Sequence, residues 1–246
     1  HYDGIILATP STEIPSILET LAKKKVTNPI LCASKGLAIY DNTAYLFHEL
    51  PFVYKKYFSY LSGPTFAKEL TKQQYTQAIV SGENASFWQP ILASPSLSII
   101  QSTDVIGTAL SGVYKNITAC IAGCCQPPNF GENTRALVLV AATQHLAKII
   151  KKCEGNPMSA YNIAGLGDII LSGSSSSSRN FQFGKNLVTQ KHSASQTTES
   201  KDNIIKISKY LTQKALYCGL IDVAHNIIAQ PTIADTLIKT WLDHQI

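Results

Sequence analysis

With 246 residues, 45% of them hydrophobic, the chain is long enough to bury a real core, as one large domain or two moderate ones. A net charge of +5 on only 15% charged residues, with no dense Lys/Arg stripe interleaved with aromatics, speaks against a nucleic-acid partner and suits a small anionic ligand. The six cysteines fall in apolar segments without a C-x-x-C pair, so buried free thiols are expected rather than zinc, another metal or a disulfide framework. Neither a signal peptide nor an apolar run long enough to cross a bilayer is read, and the cytoplasm is the expected location.

Residues 4–10, GIILATP, form a continuous apolar run closed by Thr-Pro-Ser, the pattern of a strand covered on both faces in a parallel sheet. A helical spacing follows over 16–25, with Ile17, Leu18 and Leu21 on one side, and then a second short apolar run over 29–36 ends at Lys35 and Gly36. The stretch 58–70 runs from a strand through Ser62-Gly63-Pro64 into a short helix. Further strands are predicted over 77–82 and 97–103, with a helix around 87–92 between them. Strands alternating with short helices mean a mostly parallel sheet.

Beyond Ser102 the strand signals stop, and helical patterns occupy 105–125, 132–152, 201–218, 220–228 and 232–243. The expected division is 1–103, α/β, and 104–246, all-α. A doubly wound nucleotide-binding domain normally opens with a G-x-G-x-x-G turn between its first strand and helix, and none occurs in this sequence. The expectation is that the chain enters such a domain in its later half, which would leave a sheet edge uncovered.

Chemistry is concentrated at three places. The stretch 105–125 is apolar on nearly every face, as a buried helix is, yet it carries Lys115 and Asn116 in its middle. An ammonium there needs a partner, a substrate, or a stem long enough to reach solvent. The strand ends Thr9-Pro10-Ser11, Ser34-Lys35-Gly36 and Ser62-Gly63-Pro64-Thr65 face the crevice where open α/β sheets bind ligands; Lys35 offers its charge there, or simply begins a loop. In 164–184, Asp168 follows a glycine-rich turn at a helix start or buried edge. The Ser174–Ser178 run reads as a linker until Arg179-Asn180, where hydroxyls beside a guanidinium make a phosphate cradle.

LSGPTFAKEL, DVIG…YKNITACIAG, FGENTRA and GLGDIILSGSSSSSRNFQFG, in this order, resemble the NAD(P)-dependent glycerol-3-phosphate dehydrogenases of the bacterial type, and ATPS and SKGL stand where that family has its strand-end motifs. The resemblance implies a partial Rossmann domain with a parallel sheet, followed by an all-α domain like that of 6-phosphogluconate dehydrogenase. It implies NAD or NADP as cofactor and interconversion of dihydroxyacetone phosphate and glycerol 3-phosphate, a source of phospholipid precursors. A homodimer is compatible with it.

By the same resemblance Lys115 is the proton donor and acceptor at the substrate's C2 oxygen, and Asp168 orients it. Lys35 stands where substrate and cofactor meet. Gly63 and Thr65 touch substrate and Ala67 the cofactor. Ser178, Arg179 and Asn180 grip the phosphate, with Arg179 also near the cofactor, and Glu199 in QTTES matches a cofactor-contacting glutamate. Gly112-Val113-Tyr114 is bulkier than expected just before Lys115. The rival expectation is a non-catalytic remnant, or a phosphate-binding protein without effective cofactor binding.

Overall fold

The computed structural model describes residues 2–126, 128–189 and 198–244, with the side chains of 198–200 left out. Five strands form one sheet in the order β1 (Ile5–Leu7), β2 (Ile30–Cys32), β5 (Phe58–Ser62), β6 (Thr76–Ser81) and β7 (Leu97–Ser102). β1, β2 and β5 run parallel, with Ile5 opposite Ile30 and Ile30 opposite Phe58. β6 is antiparallel to β5, and β7 is parallel to β6. The reversal follows from the connection. Between β5 and β6 lies only the single turn α2 (Ala67–Leu70), and the chain returns from the same end of the sheet. Between β6 and β7 the eight-residue α3 (Ala85–Leu92) carries the chain back across, which restores a parallel pair. On the other flank α1 (Ile14–Lys23) connects β1 to β2, which accounts for their parallel pairing. β1 is an edge strand, and Ile6 on it is 51% exposed.

A two-stranded hairpin, β3 (Ala38–Tyr40) with β4 (Thr43–Tyr45), stands apart from this sheet and is not foreseen by the sequence reading. Its two-residue turn is Asp41-Asn42, both at positive φ, 45° and 55°. That is the conformation whose twist matches the strands it joins, and Asp and Asn tolerate it best after glycine.

The last strand ends at Ser102, and the rest is helical: α4 (Val105–Cys124), α5 (Glu132–Lys152), α6 (Asp168–Ser174), α7 (Arg179–Val188), α8 (Thr198–Gln213), α9 (Gly219–Ala229) and α10 (Ala234–Asp243). α4 starts where Asp104 accepts a hydrogen bond from the Gly107 amide at 2.9 Å, satisfying one of the first-turn donors. The other Asp104 oxygen ties in the chain beyond α5 through Ser159 Oγ (2.6 Å) and the Asn156 amide (3.1 Å). Contrary to the sequence expectation, α4 is long and apolar enough to cross a bilayer. Most of it is buried inside the fold against α5, α6, α7 and α8, so it is the central helix of the molecule.

One core runs from Leu7 and Phe47 through Tyr114 and Ile150 to Leu242, and so joins the sheet to the helices; a smaller one, with Trp88 and Leu31, lies under α3. The six cysteines are all buried and unbridged. Burial pushes the Cys32 and Cys125 thiols up to about 12, which keeps them protonated and unreactive. The N-terminal part is thus a Rossmann-like, mostly parallel sheet and the C-terminal part is helical.

Candidate active site

The carboxyl ends of β1, β2 and β5 meet the middle of α4 and the start of α7 around a cavity of about 820 Å³. Lys35 reaches it from the end of β2, Lys115 and Asn116 from α4, and Ser178, Arg179 and Asn180 from the start of α7. Thr65 and Ala67 complete the wall after β5.

Behind this wall lies Asp168, the first residue of α6 and only 1% exposed. A five-residue π-turn, Ile163–Gly167, delivers it; Asn162 caps that turn by accepting from the Ala164 and Gly165 amides. Its two oxygens divide the work. Oδ2 accepts a hydrogen bond from the Lys35 amine, and Oδ1 lies 3.4 Å from the Lys115 amine. Ser172, one helical turn on, closes the group: its Oγ accepts from Lys115 Nζ at 3.1 Å and donates to Asp168 Oδ1 at 3.2 Å. A buried carboxylate between two ammonium groups, with a hydroxyl bridge, is well compensated, and it fixes both lysine heads.

The lysine side chains remain 21% and 13% exposed, open on the cavity side. Lys115 therefore does not snorkel to the outer surface. Tyr114 points the opposite way, fully buried, with its hydroxyl 3.2 Å from Cys218 Sγ, so its bulk does not crowd the lysine.

Gly63 lies beside this group rather than on the cavity wall; its carbonyl is 3.4 Å from Lys35 Nζ. Its φ of 150°, and the 3.0 Å that would separate an added Cβ from the Ala78 Cα, leave the position to glycine. The Thr65 hydroxyl donates to the same carbonyl at 3.3 Å.

Across the cavity, Ser178 caps α7 through the Phe181 amide at 3.3 Å. Asn180 Nδ2 donates to Asn116 Oδ1 at 2.9 Å, tying α7 to α4 beside Lys115. The Arg179 guanidinium is exposed at the mouth. Lys35, Lys115 and Arg179 line the cavity with the exposed Asp202, and Asp168 lies behind the two lysines, a cationic balance suited to an anion. The side chain of Glu199 lies outside the described residues.

Two contributors were not singled out as site residues from sequence. Asn116 was visible only as an odd amide in an apolar helix. Ser172 had a signal, the i,i+4 spacing from Asp168, which sets both on one helix face.

The donor set also fits the nicotinamide end of a dinucleotide. A cavity of this volume exceeds what a three-carbon ester fills, and its remaining wall includes Ala8, Ala33 and Ala67 with the hydroxyls of Ser11 and Ser34, alongside Pro10 and Phe66, a surface suited to a flat amide-bearing ring and its ribose. Among the described residues no group of three or more His, Cys, Asp or Glu side chains comes together to hold a metal.

Comparisons with known proteins identify the family. The family model for the NAD-dependent glycerol-3-phosphate dehydrogenase N-terminus matches residues 1–88, and that for the C-terminus matches 104–239. A glycerol-3-phosphate dehydrogenase (NAD(P)+) of Pseudomonas entomophila is 27% identical over 96% of this chain and 72% of its own length. That of Francisella tularensis subsp. novicida is 30% identical over 88% of this chain and 66% of its own length. Among solved structures, glycerol-3-phosphate dehydrogenase from Coxiella burnetii superposes with a TM-score of 0.86 at 22% identity, covering 98% of this chain and 77% of that one, a likeness of fold. A D-mandelate dehydrogenase reaches only 0.54 at 12% identity. With both family models matched in order along one chain, the protein belongs to the NAD-dependent glycerol-3-phosphate dehydrogenase family of oxidoreductases.

Proposed function

We propose that this chain carries the catalytic centre that interconverts dihydroxyacetone phosphate and glycerol 3-phosphate with NAD(H) or NADP(H). The observation that carries the reading is the Lys115 amine, held by Asp168 and Ser172 on the wall of the cavity that Arg179 and Asn180 also line. The bound nicotinamide supplies or removes a hydride at C2. Everything else falls to the chain. Arg179, Asn180 and Ser178 bind the phosphate, and that remote binding energy fixes the carbonyl in place. As C2 is reduced, negative charge develops on its oxygen; the Lys115 ammonium stabilises it and gives up a proton, which yields the alcohol. Oxidation runs the same transfer backwards. Asp168 does not touch the substrate in this scheme. It holds the Lys115 and Lys35 amines in position, and Gly63 adds its carbonyl to Lys35.

The division in this proposal runs at residue 103: 1–103 brings Lys35 to the junction of substrate and cofactor, Thr65 to the substrate and Ala67 to the cofactor, and 104–246 supplies the proton and the phosphate grip, with Arg179 and Glu199 also toward the cofactor. The expected location is the cytoplasm. A homodimer belongs to the same proposal; exposed Leu137 and Val140 on α5 and Ile170 on the adjoining α6 support it as the surface a second copy would cover.

The test is reduction of dihydroxyacetone phosphate, followed by loss of NADH or NADPH. Lys115→Ala is expected to lower kcat at saturating substrate by roughly 10²–10⁴, the span of general acid catalysis. Arg179→Ala should act mainly through KM, and dihydroxyacetone, lacking the phosphate, should be a poor substrate for the unaltered protein. Full activity of Lys115→Ala would overturn the assignment.

A further inference from the structure

A second cleft of about 650 Å³ lies in the helical part, between α5, α9 and α10, and the reaction described above makes no use of it. One wall is a single stripe of α5. His145, Lys148, Ile149 and Lys152 follow the i, i+3, i+4, i+7 spacing and share one face of the helix. The facing walls bring apolar surface from Leu216, Val223, Leu237 and the indole of Trp241, with Asn226, Thr240 and His244 among them.

The apolar part is built rather than accidental. Trp241 is 5% exposed, and the His145 ring meets it edge-on with centroids 5.8 Å apart. The floor is kept open by Gly219, where an added Cβ would come within 3.2 Å of the Trp241 ring.

Charge sets the kind of occupant. Lys148 and Lys152 are exposed, and among the described residues neither forms an ion pair. The acidic group on the wall, Asp222, sits in the first turn of α9, where a helix favours negative charge, and among the described residues it forms no ion pair with either lysine, so one carboxylate stands against two ammonium groups. The cationic stripe therefore stands over an apolar floor with its own charge unbalanced. The volume falls within the roughly 300–1,000 Å³ of small-molecule sites, and such sites combine an apolar body with a few placed polar groups.

We propose that this cleft binds a small organic anion, a carboxylate on an apolar body, with the carboxylate on Lys148 and Lys152 and the body against Trp241. This site is separate from the dehydrogenase centre and does not depend on the reading given above.

Octanoate is the probe, with 1-octanol as the same body lacking the charge. The chain holds two tryptophans, and Trp88 is buried under α3, so a saturable change in fluorescence that Trp241→Phe abolishes reports the cleft. Octanoate is expected to bind at least about fivefold more tightly than octanol, in line with two partly exposed ion pairs. Lys148→Glu combined with Lys152→Glu should remove that advantage while leaving octanol binding and dehydrogenase activity unchanged. Both positions are exposed, so this variant tests the site without disturbing the core. No saturable signal, or octanoate affinity indifferent to the charge reversal, overturns the proposal. A cleft covered by a second copy of the chain overturns it as well, and would give a concentration-dependent mass with no octanoate signal.

Discussion

Asp168 and Ser172 make unequal contributions to one task, and their variants should separate them. Asp168 serves two ammonium groups through two oxygens from a site with almost no solvent. In Asp168→Asn one oxygen becomes an amide nitrogen, which turns a donor toward a cation and leaves it without its counter-charge. A hydrogen bond to a charged group contributes about 1.5–3 kcal/mol, so losing one, and the counter-charge with it, should lower kcat by roughly 10- to 100-fold. Ser172→Ala removes only the bridging hydroxyl, and Lys115 keeps its carboxylate at 3.4 Å. Its expected cost is about 1 kcal/mol, some five- to tenfold in kcat. Steady-state kinetics on both variants check the order. Equal losses would mean that the hydroxyl, not the carboxylate, sets the Lys115 position.

At the level of elements, the distance between the proposed catalytic and phosphate-binding groups is set by two glycines. α4 carries Lys115 and Asn116, and α7 carries Arg179 and Asn180; the two helices cross in backbone contact. A Cβ at Gly184 would come within 1.8 Å of the Cys120 carbonyl oxygen, and one at Gly123 within 2.1 Å of the Phe181 carbonyl oxygen. Backbone cannot step aside as a side-chain tip can, so Gly184→Ala must push the helices apart. The expected loss is about 1–3 kcal/mol of stability, together with a raised KM for the phosphate ester as Asn180 leaves Asn116. Gly131→Ala, where an added Cβ meets nothing within 4 Å, is the control for crowding: as the N-cap of α5 it should cost under about 1 kcal/mol in melting and leave KM unchanged. A Gly184→Ala protein with unaltered KM would show that the α4–α7 spacing does not govern the grip.

The same elements explain what could be read in advance. Strand and helix positions followed from apolar runs and helical spacing, because burial on two faces or on one stripe is written in composition. The β3–β4 hairpin was missed because its turn is Asp-Asn rather than the Asn-Gly or Asp-Gly that signals such a turn most strongly. α6 and α7 were hidden by serines, which are poor helix formers inside an element and good caps at its edge; Ser178 does cap α7. Lys115, Asp168 and Arg179 could be named individually. That one carboxylate holds both Lys35 and Lys115 could not, since residues 35 and 168 meet only through the packing that brings the loop after β2 to the start of α6.

For the molecule as a whole, sheet and helices share one core, and its seam contains a titratable group. His48, 6% exposed, follows β4 and packs edge-on against Tyr60 of β5, its Nδ1 3.4 Å from the phenol oxygen. Next to it Glu49 accepts from the Tyr210 hydroxyl of α8 at 3.0 Å, and Gln213 of the same helix accepts from the Ala44 amide at 2.8 Å. Burial lowers the His48 pKa from 6.5 to about 4; Lys55 and Lys214 push the same way and Glu49 opposes them. The folded protein thus keeps this imidazole neutral where the unfolded chain protonates it. Between pH 6.5 and 4 the unfolded state binds the extra proton, so stability falls as pH falls through that window and levels off below it. From pH 7 to pH 5 the expected loss from this one residue is about 2 kcal/mol. Denaturant unfolding at both pH values should show it, and His48→Leu, which cannot titrate, should show a pH dependence smaller by that amount. Because the seam joins the sheet that carries Lys35 to the helices that carry Lys115, activity should be lost along with the fold over the same pH range. If His48→Leu kept the full acid sensitivity, the seam would not be where the fold yields.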